Sequence, residues 1–173
     1  MIKEITSNIR YIGVTDNSID LFESQYPVPR GITYNSYLVE GEKVAIIDTV
    51  DGHMADEWKA NLAEGLAGRT PEYLVVEHME PDHSSVIADI MAEYPGLSVV
   101  GSAKTMQMLT QFFEDIKLDG RTIAVKEGDT LDLGGRTLRF LMAPMVHWPE
   151  VIAVYDVEDK TLFSADAFGT FGQ

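Results

Sequence analysis

His78-Met79-Glu80-Pro81-Asp82-His83 places two imidazoles and two carboxylates within six residues. The run Tyr73-Leu74-Val75-Val76 just before it has the length and composition of a short buried strand. After it, Ser84 or Ser85 is placed to cap a helix carrying Val86, Ile87, Ile90, Met91 and Tyr94 and ending at Pro95-Gly96. The hexapeptide is therefore a strand-to-helix loop, stiffened by Pro81. Such a loop can turn His78 and Glu80 to one side and Asp82 and His83 to another, which suits two metal ions sharing one segment; a single ion would not need all four. The plainer alternative is a charged loop whose Asp82 favours the positive end of the next helix, but it leaves both histidines and Glu80 without a task.

Working outward, the chain has only four histidines, at positions 53, 78, 83 and 147. His147 lies in Ala143-Pro144-Met145-Val146-His147-Trp148-Pro149, a proline-bracketed loop after the strand expected over Thr137 to Met142. Asp166 stands in the same relation to a strand over Thr161 to Ala165. Three strand ends thus offer His78, Glu80, Asp82, His83, His147 and Asp166 as metal ligands. Asp48, at the end of a strand over Val44 to Thr49, is read as a structural or supporting group, His53 as a surface residue and Trp148 as packing. Ser84 and Ser85 carry no triad pattern.

The remaining pattern alternates strands and helices. Tyr34 to Val39 pairs with Val44 to Thr49 through Glu40-Gly41-Glu42. Met54 to Ala67 is a helix with Trp58, Leu62 and Leu66 on one face and Gly68 as its stop. Ser98 to Val100 is a strand, and Ser102 caps a helix striped by Met106, Leu109 and Phe113. Strands then follow over Thr122 to Val125, Thr130 to Leu133, Thr137 to Met142, Val151 to Asp156 and Thr161 to Ala165, the last two joined at Glu158-Asp159-Lys160. This order predicts an α/β sandwich in which helices cover sheet faces. No glycine-rich phosphate loop follows any strand, which removes support for nucleotide-binding folds.

Composition narrows the chemistry. At 173 residues and 45% hydrophobic, the chain is expected to form one domain, 1–173, with a real core. With no cysteine it has no disulfide framework, zinc ribbon, iron–sulfur cluster or thiol nucleophile. Its 28 acidic and 13 basic side chains leave a formal charge of −15, which excludes the clustered cations a nucleic-acid binder needs. The first residues, Met1 to Gly13, carry no basic stretch followed by an apolar core, and no run approaches the roughly 20 apolar residues of a membrane span. A cytoplasmic protein with no membrane segment is expected, with a small molecule or a protein as partner.

The pattern H-x-E-x-D-H at 78–83, the distant His147 in His-Trp-Pro, and Asp166 in Ser164-Ala165-Asp166-Ala167-Phe168-Gly169 together resemble the metallo-β-lactamase-like domain of flavodiiron proteins. Tyr34-Asn35-Ser36-Tyr37-Leu38-Val39 and Ile46-Ile47-Asp48-Thr49 match that family's opening strands in order and spacing. The resemblance covers essentially the whole chain and implies an αββα sandwich, incomplete at its C-terminus. It also implies that one iron is bound by His78, Glu80 and His147 and a second by Asp82 and His83, with Asp166 bridging. The wider superfamily usually has His where this chain has Glu80, and binds zinc; the carboxylate makes the site harder and more anionic, compatible with iron or manganese.

The activity implied is reduction of dioxygen to water or of nitric oxide to nitrous oxide. In the family, electrons arrive through FMN on a flavodoxin-like domain, from a donor such as rubredoxin, and chains pair head to tail as dimers or dimers of dimers. The flavodoxin-like domain and a further metal-ligating His lie beyond this sequence, so a fragment ending at Gln173 is expected. Two other readings stay open. One is a metal-dependent, zinc-loaded hydrolase on the same fold; the other is an inactive truncated domain limited to partner binding or partial metal uptake.

Overall fold

A computed structural model describes residues 2–170; Met1 and 171–173, including the expected stop at Gln173, lie outside the described residues. In chain order the strands are β1 (Lys3–Thr6), β2 (Ile9–Tyr11), β3 (Val14–Asp16), β4 (Leu21–Phe22), β5 (Tyr26–Pro27), β6 (Ile32–Tyr34), β7 (Tyr37–Glu40) and β8 (Val44–Ile47). They continue with β9 (Tyr73–Val75), β10 (Ser98–Ser102), β11 (Thr122–Val125), β12 (Thr130–Asp132), β13 (Thr137–Met142), β14 (Ile152–Asp156) and β15 (Thr161–Phe163). The helices are α1 (Ala55–Leu66), α2 (Pro81–Ser84), α3 (Ile87–Glu93) and α4 (Ala103–Phe112).

One sheet runs β1-β2-β7-β8-β9-β10-β11, and a second runs β12-β13-β14-β15. Strands β8 to β11 are mutually parallel, as their helical crossovers require, whereas the second sheet is antiparallel throughout. The apolar run of β9 is explained by burial on both faces. Leu74 and Val76 point to the layer holding Trp58, Leu62 and Leu109, while Val75 points to the layer holding Phe140, Val154 and Phe163. Of the four layers of an αββα sandwich, the described residues thus build helices, sheet and sheet. No helix among them is long and apolar enough to cross a membrane.

Several local expectations are corrected. Tyr34 to Val39 is not one strand: it breaks at Asn35-Ser36, where the Ser36 hydroxyl donates to the Asp48 carbonyl at 2.8 Å and the Ser36 carbonyl accepts from Ile12 N at 2.9 Å. Neither Ser84 nor Ser85 caps a helix. Their hydroxyls turn back to the carbonyls of Met79 and Pro81, and the segment after Glu80 splits into α2, begun by Pro81, and α3. Ser102 does cap α4, accepting from Thr105 N at 3.0 Å. Five short strands, β1 to β5, have no counterpart in the sequence reading, and β6 meets it only at Tyr34.

Candidate metal centre

Four strand ends converge on one rim. The β9 strand runs into His78, β8 ends at Asp48, the loop after β13 carries His147, and the turn after β15 carries Asp166. Asp48 adopts φ 52°, a left-handed conformation its short polar side chain tolerates. That turn lets its carboxylate accept from Glu77 N at 2.7 Å and from His83 Nδ1 at 2.9 Å.

His78 Nε2 faces Glu80 Oε2 at 3.0 Å, His147 Nε2 at 3.3 Å and Asp166 Oδ2 at 3.4 Å. His147 Nε2 lies 2.9 Å from the same Glu80 oxygen and 3.2 Å from Asp166 Oδ2. The potential ligand atoms of these four residues all lie within 4.8 Å of one another. The other oxygen of Asp166 meets His83 Nε2 at 2.9 Å, and Asp82 Oδ2 is 3.7 Å from that nitrogen. Asp166 therefore stands between His78, Glu80 and His147 on one side and the Asp82–His83 pair on the other, and Asp82 Oδ1 is buried with no hydrogen-bond partner among the described residues.

The titration pattern is that of a site demanding positive charge. Burial opposes ionisation of Glu80, yet hydrogen bonds with His78 and Glu23 hold it at about 2. Burial likewise opposes ionisation of Asp166, but His78 and His83 keep its carboxyl well below the usual range. Burial also disfavours a proton on His78, and the hydrogen bonds to Asp166, Glu150 and Glu80 still raise it to about 10. His83 is raised well above its ordinary value by Asp166 and Asp48 against the same penalty, and burial lifts Asp82 to about 6. Protons on the imidazoles thus occupy the place of a shared cation. The donor set of imidazole and carboxylate fits one: ring nitrogens and carboxylate oxygens face a common centre, with an orphaned carboxylate oxygen beside it.

Three contributors escaped sequence reasoning. Glu150, fully buried, accepts at Oε1 from His78 Nδ1 and Met79 N, both at 2.8 Å, and so leaves His78 Nε2 turned to the centre. Its only sequence signal is an acid placed directly against the buried run of β14. Glu77 is 3% exposed and takes Val154 N and Ala165 N on its two oxygens, tying β14 and the Asp166 turn to the hexapeptide. Glu23, on the loop between β4 and β5, hydrogen-bonds Glu80; that contact, with burial, raises its carboxyl to about 7. A cavity of about 550 Å³ lies over the group, walled by Phe22, Glu23, Tyr26 and Tyr34. His53 is exposed, as expected of a surface residue, and is paired with Asp16 and Asp51. Trp148 packs as expected, its ring edge-on to His78 at 5.3 Å.

The fold and this site define a β-lactamase-like domain of the flavodiiron type, and the chain belongs to the ODP family beta lactamase, whose model matches residues 32–173. Its relatives are flavodiiron proteins and flavorubredoxins. It is 36% identical over 167 residues to the anaerobic nitric oxide reductase flavorubredoxin of Pectobacterium atrosepticum, covering 95% of this chain and 32% of that protein. It is 37% identical over 167 residues to diflavin flavoprotein A 1 of Synechocystis, covering 95% of this chain and 28% of that protein. The flavodiiron protein of Giardia intestinalis superposes with a TM-score of 0.92 at 30% identity, over 99% of this chain and 41% of that one. Rubredoxin oxygen:oxidoreductase of Desulfovibrio gigas gives 0.93 at 28%, over 99% and 42%. The chain spans about a third of the length of the curated relatives it matches.

Proposed function

We propose that this chain supplies the di-iron centre of an oxidoreductase that reduces dioxygen to water, nitric oxide to nitrous oxide, or both. The observation that carries the reading is the convergence of His78, Glu80, His147 and Asp166, with a carboxylate at 80. His78, Glu80 and His147 would hold one iron, Asp82 and His83 the second, and Asp166 both. When bound, the pair of ferrous ions would supply two electrons, which with two protons suffice to couple two nitric oxide molecules to nitrous oxide and water, and are half of the four that one dioxygen needs to become water, the other two coming from the electron donor. The protein's part is positioning: Asp48 and Glu150 fix the His83 and His78 rings through their Nδ1–H groups, and Glu77 anchors the Asp166 turn. Electrons would come through FMN in the longer protein, from a rubredoxin-like donor, in a dimer or dimer of dimers.

The test is consumption of dioxygen and of nitric oxide by the iron-loaded protein with a reduced flavodoxin-type donor. Turnover of either gas that is abolished by His147→Ala supports the reading. Zinc-supported cleavage of an ester, lactone or thioester without any electron donor would replace it with the hydrolase.

A further inference from the structure

We propose that His53 and Asp16 are positioning residues for the roof of the cavity: an imidazolium clamped between Asp16 and Asp51 seats the β4–β5 ribbon so that Phe22 and Glu23 wall the cavity. The proposal concerns the walls of the cavity and stands whether or not the cavity holds iron.

His53 Nε2 lies 2.5 Å from Asp16 Oδ2, and Nδ1 lies 2.5 Å from Asp51 Oδ1. Carboxylate oxygens only accept, so both ring nitrogens must donate and the ring is cationic in this arrangement. The geometry differs from that of His78 and His83, whose Nε2 atoms face several converging groups. Each nitrogen of His53 faces a different carboxylate, which describes a clamp and not a ligand. Asp16 is 1% exposed, and its other oxygen is taken by Ser18 N and Ser18 Oγ, both at 2.7 Å. A buried carboxylate needs a cation, and among the described residues no Lys or Arg forms an ion pair with Asp16 or Asp51. The groups facing His53 are Asp16 from β3, Asp51 from its own loop, and Tyr34 from β6, edge-on at 6.0 Å.

Asp16 is also the root of the roof. The β3–β6 ladder ends at the rung Asp16–Ile32, and the ribbon grows out between those strands. On the return arm, Gly31 has φ 78° and packs so closely that a Cβ there would lie 2.4 Å from the Asp16 carbonyl. The neck is closed by Val28 N donating to the Asp20 carbonyl at 3.0 Å. From this root the ribbon carries Phe22 and Glu23 into the cavity wall. A side chamber of about 410 Å³ shares Tyr34, Glu80 and Asp82 with that cavity and has Asp51 and His53 at its other end. Asp16 and Asp51 together raise His53 above its ordinary value near 6.5. The clamp is therefore complete below that value and is lost as pH rises through the raised one. Loss of the proton removes one donor, strands a buried carboxylate at the root and loosens the ribbon.

Hydrogen exchange on the metal-free 173-residue chain, from about pH 6 to about pH 9 to bracket the imidazole and corrected for intrinsic rates, tests this. With Glu23→Gln present in every chain compared, to remove the ribbon's own carboxyl that titrates at about 7, protection of the 20–28 amides should fall about fivefold across the range, the screened value for a half-exposed pair. His53→Gln should show the low protection at every pH, and His53→Lys should keep the high protection to the alkaline end. Amides of α1 and β9 report on folding; if they also weaken in His53→Gln, the pH profile of the chain with His53 intact and His53→Lys decide. Protection in 20–28 that is flat with pH in the chain with His53 intact, or His53→Lys behaving as that chain does at high pH, overturns the clamp.

Discussion

Replacing Glu150 with Gln tests how firmly the protein fixes His78. The carboxylate is fully buried, and its Oε1 accepts two hydrogen bonds of 2.8 Å, from His78 Nδ1 and Met79 N. Gln keeps an acceptor in the same place but removes the charge. A bond to a charged acceptor contributes about 1.5–3 kcal/mol and a neutral one about 0.5–1.5 kcal/mol, so two bonds lose about 2 kcal/mol together. The new amide nitrogen would stand where Oε2 now lies without a partner, leaving a buried donor unpaired at a further cost of about 1 kcal/mol. The sum, about 3 kcal/mol, corresponds to roughly 6–12 °C in Tm for a chain of this size. Urea unfolding of the metal-free chain, followed by Trp fluorescence, measures it, and metal titration of the same variant should show a 10–100-fold weaker site, about the usual effect of losing a carboxylate partner to a ligand histidine. A variant as stable as the native chain, or one destabilised with unchanged metal affinity, would refute the reasoning.

Metal-free protein should be most stable between about pH 5 and 6.5. Glu80, held at about 2, and Asp166, held low, stabilise above their unfolded values and stop doing so as pH falls through the folded ones; His78, raised to about 10, stabilises below 6.5 and stops as pH rises. Metal-loaded protein should instead gain stability from pH 6.5 upward, because ligands must lose protons to bind, and parallel Tm profiles with and without metal would contradict both assignments. Arg136→Met should cost about 3–5 kcal/mol by chemical denaturation, since it strands the fully buried Asp156, paired to Arg136 at 2.6 Å; a neutral effect would contradict this. Ser102→Ala should cost about 1 kcal/mol by removing the cap on Thr105 N, read by the same denaturation.

The site was legible because its chemistry is dense: six of its residues fall at three strand ends, and two of four histidines share one loop. The layers were legible where burial writes itself into sequence, as in the alternation of Leu74, Val75 and Val76 between two cores. What stayed hidden is held by distant partners. The strands before Tyr37 are two to four residues long, and β1 is largely exposed, so pairing and not propensity makes them. The break at Ser36 answers Asp48, and the role of Glu150 exists only because folding brings it against His78. Ser84 and Ser85 look like caps in sequence, yet Pro81 starts the helix earlier and turns their hydroxyls to other work.

Iron and zinc per chain, counted by elemental analysis after anaerobic loading with ferrous iron, test the central claim most directly. The account predicts two irons per native chain, and a larger loss of the first iron in His147→Ala than of the second in His83→Ala. Zinc in place of iron, no retained metal, or equal losses in the two variants would contradict it.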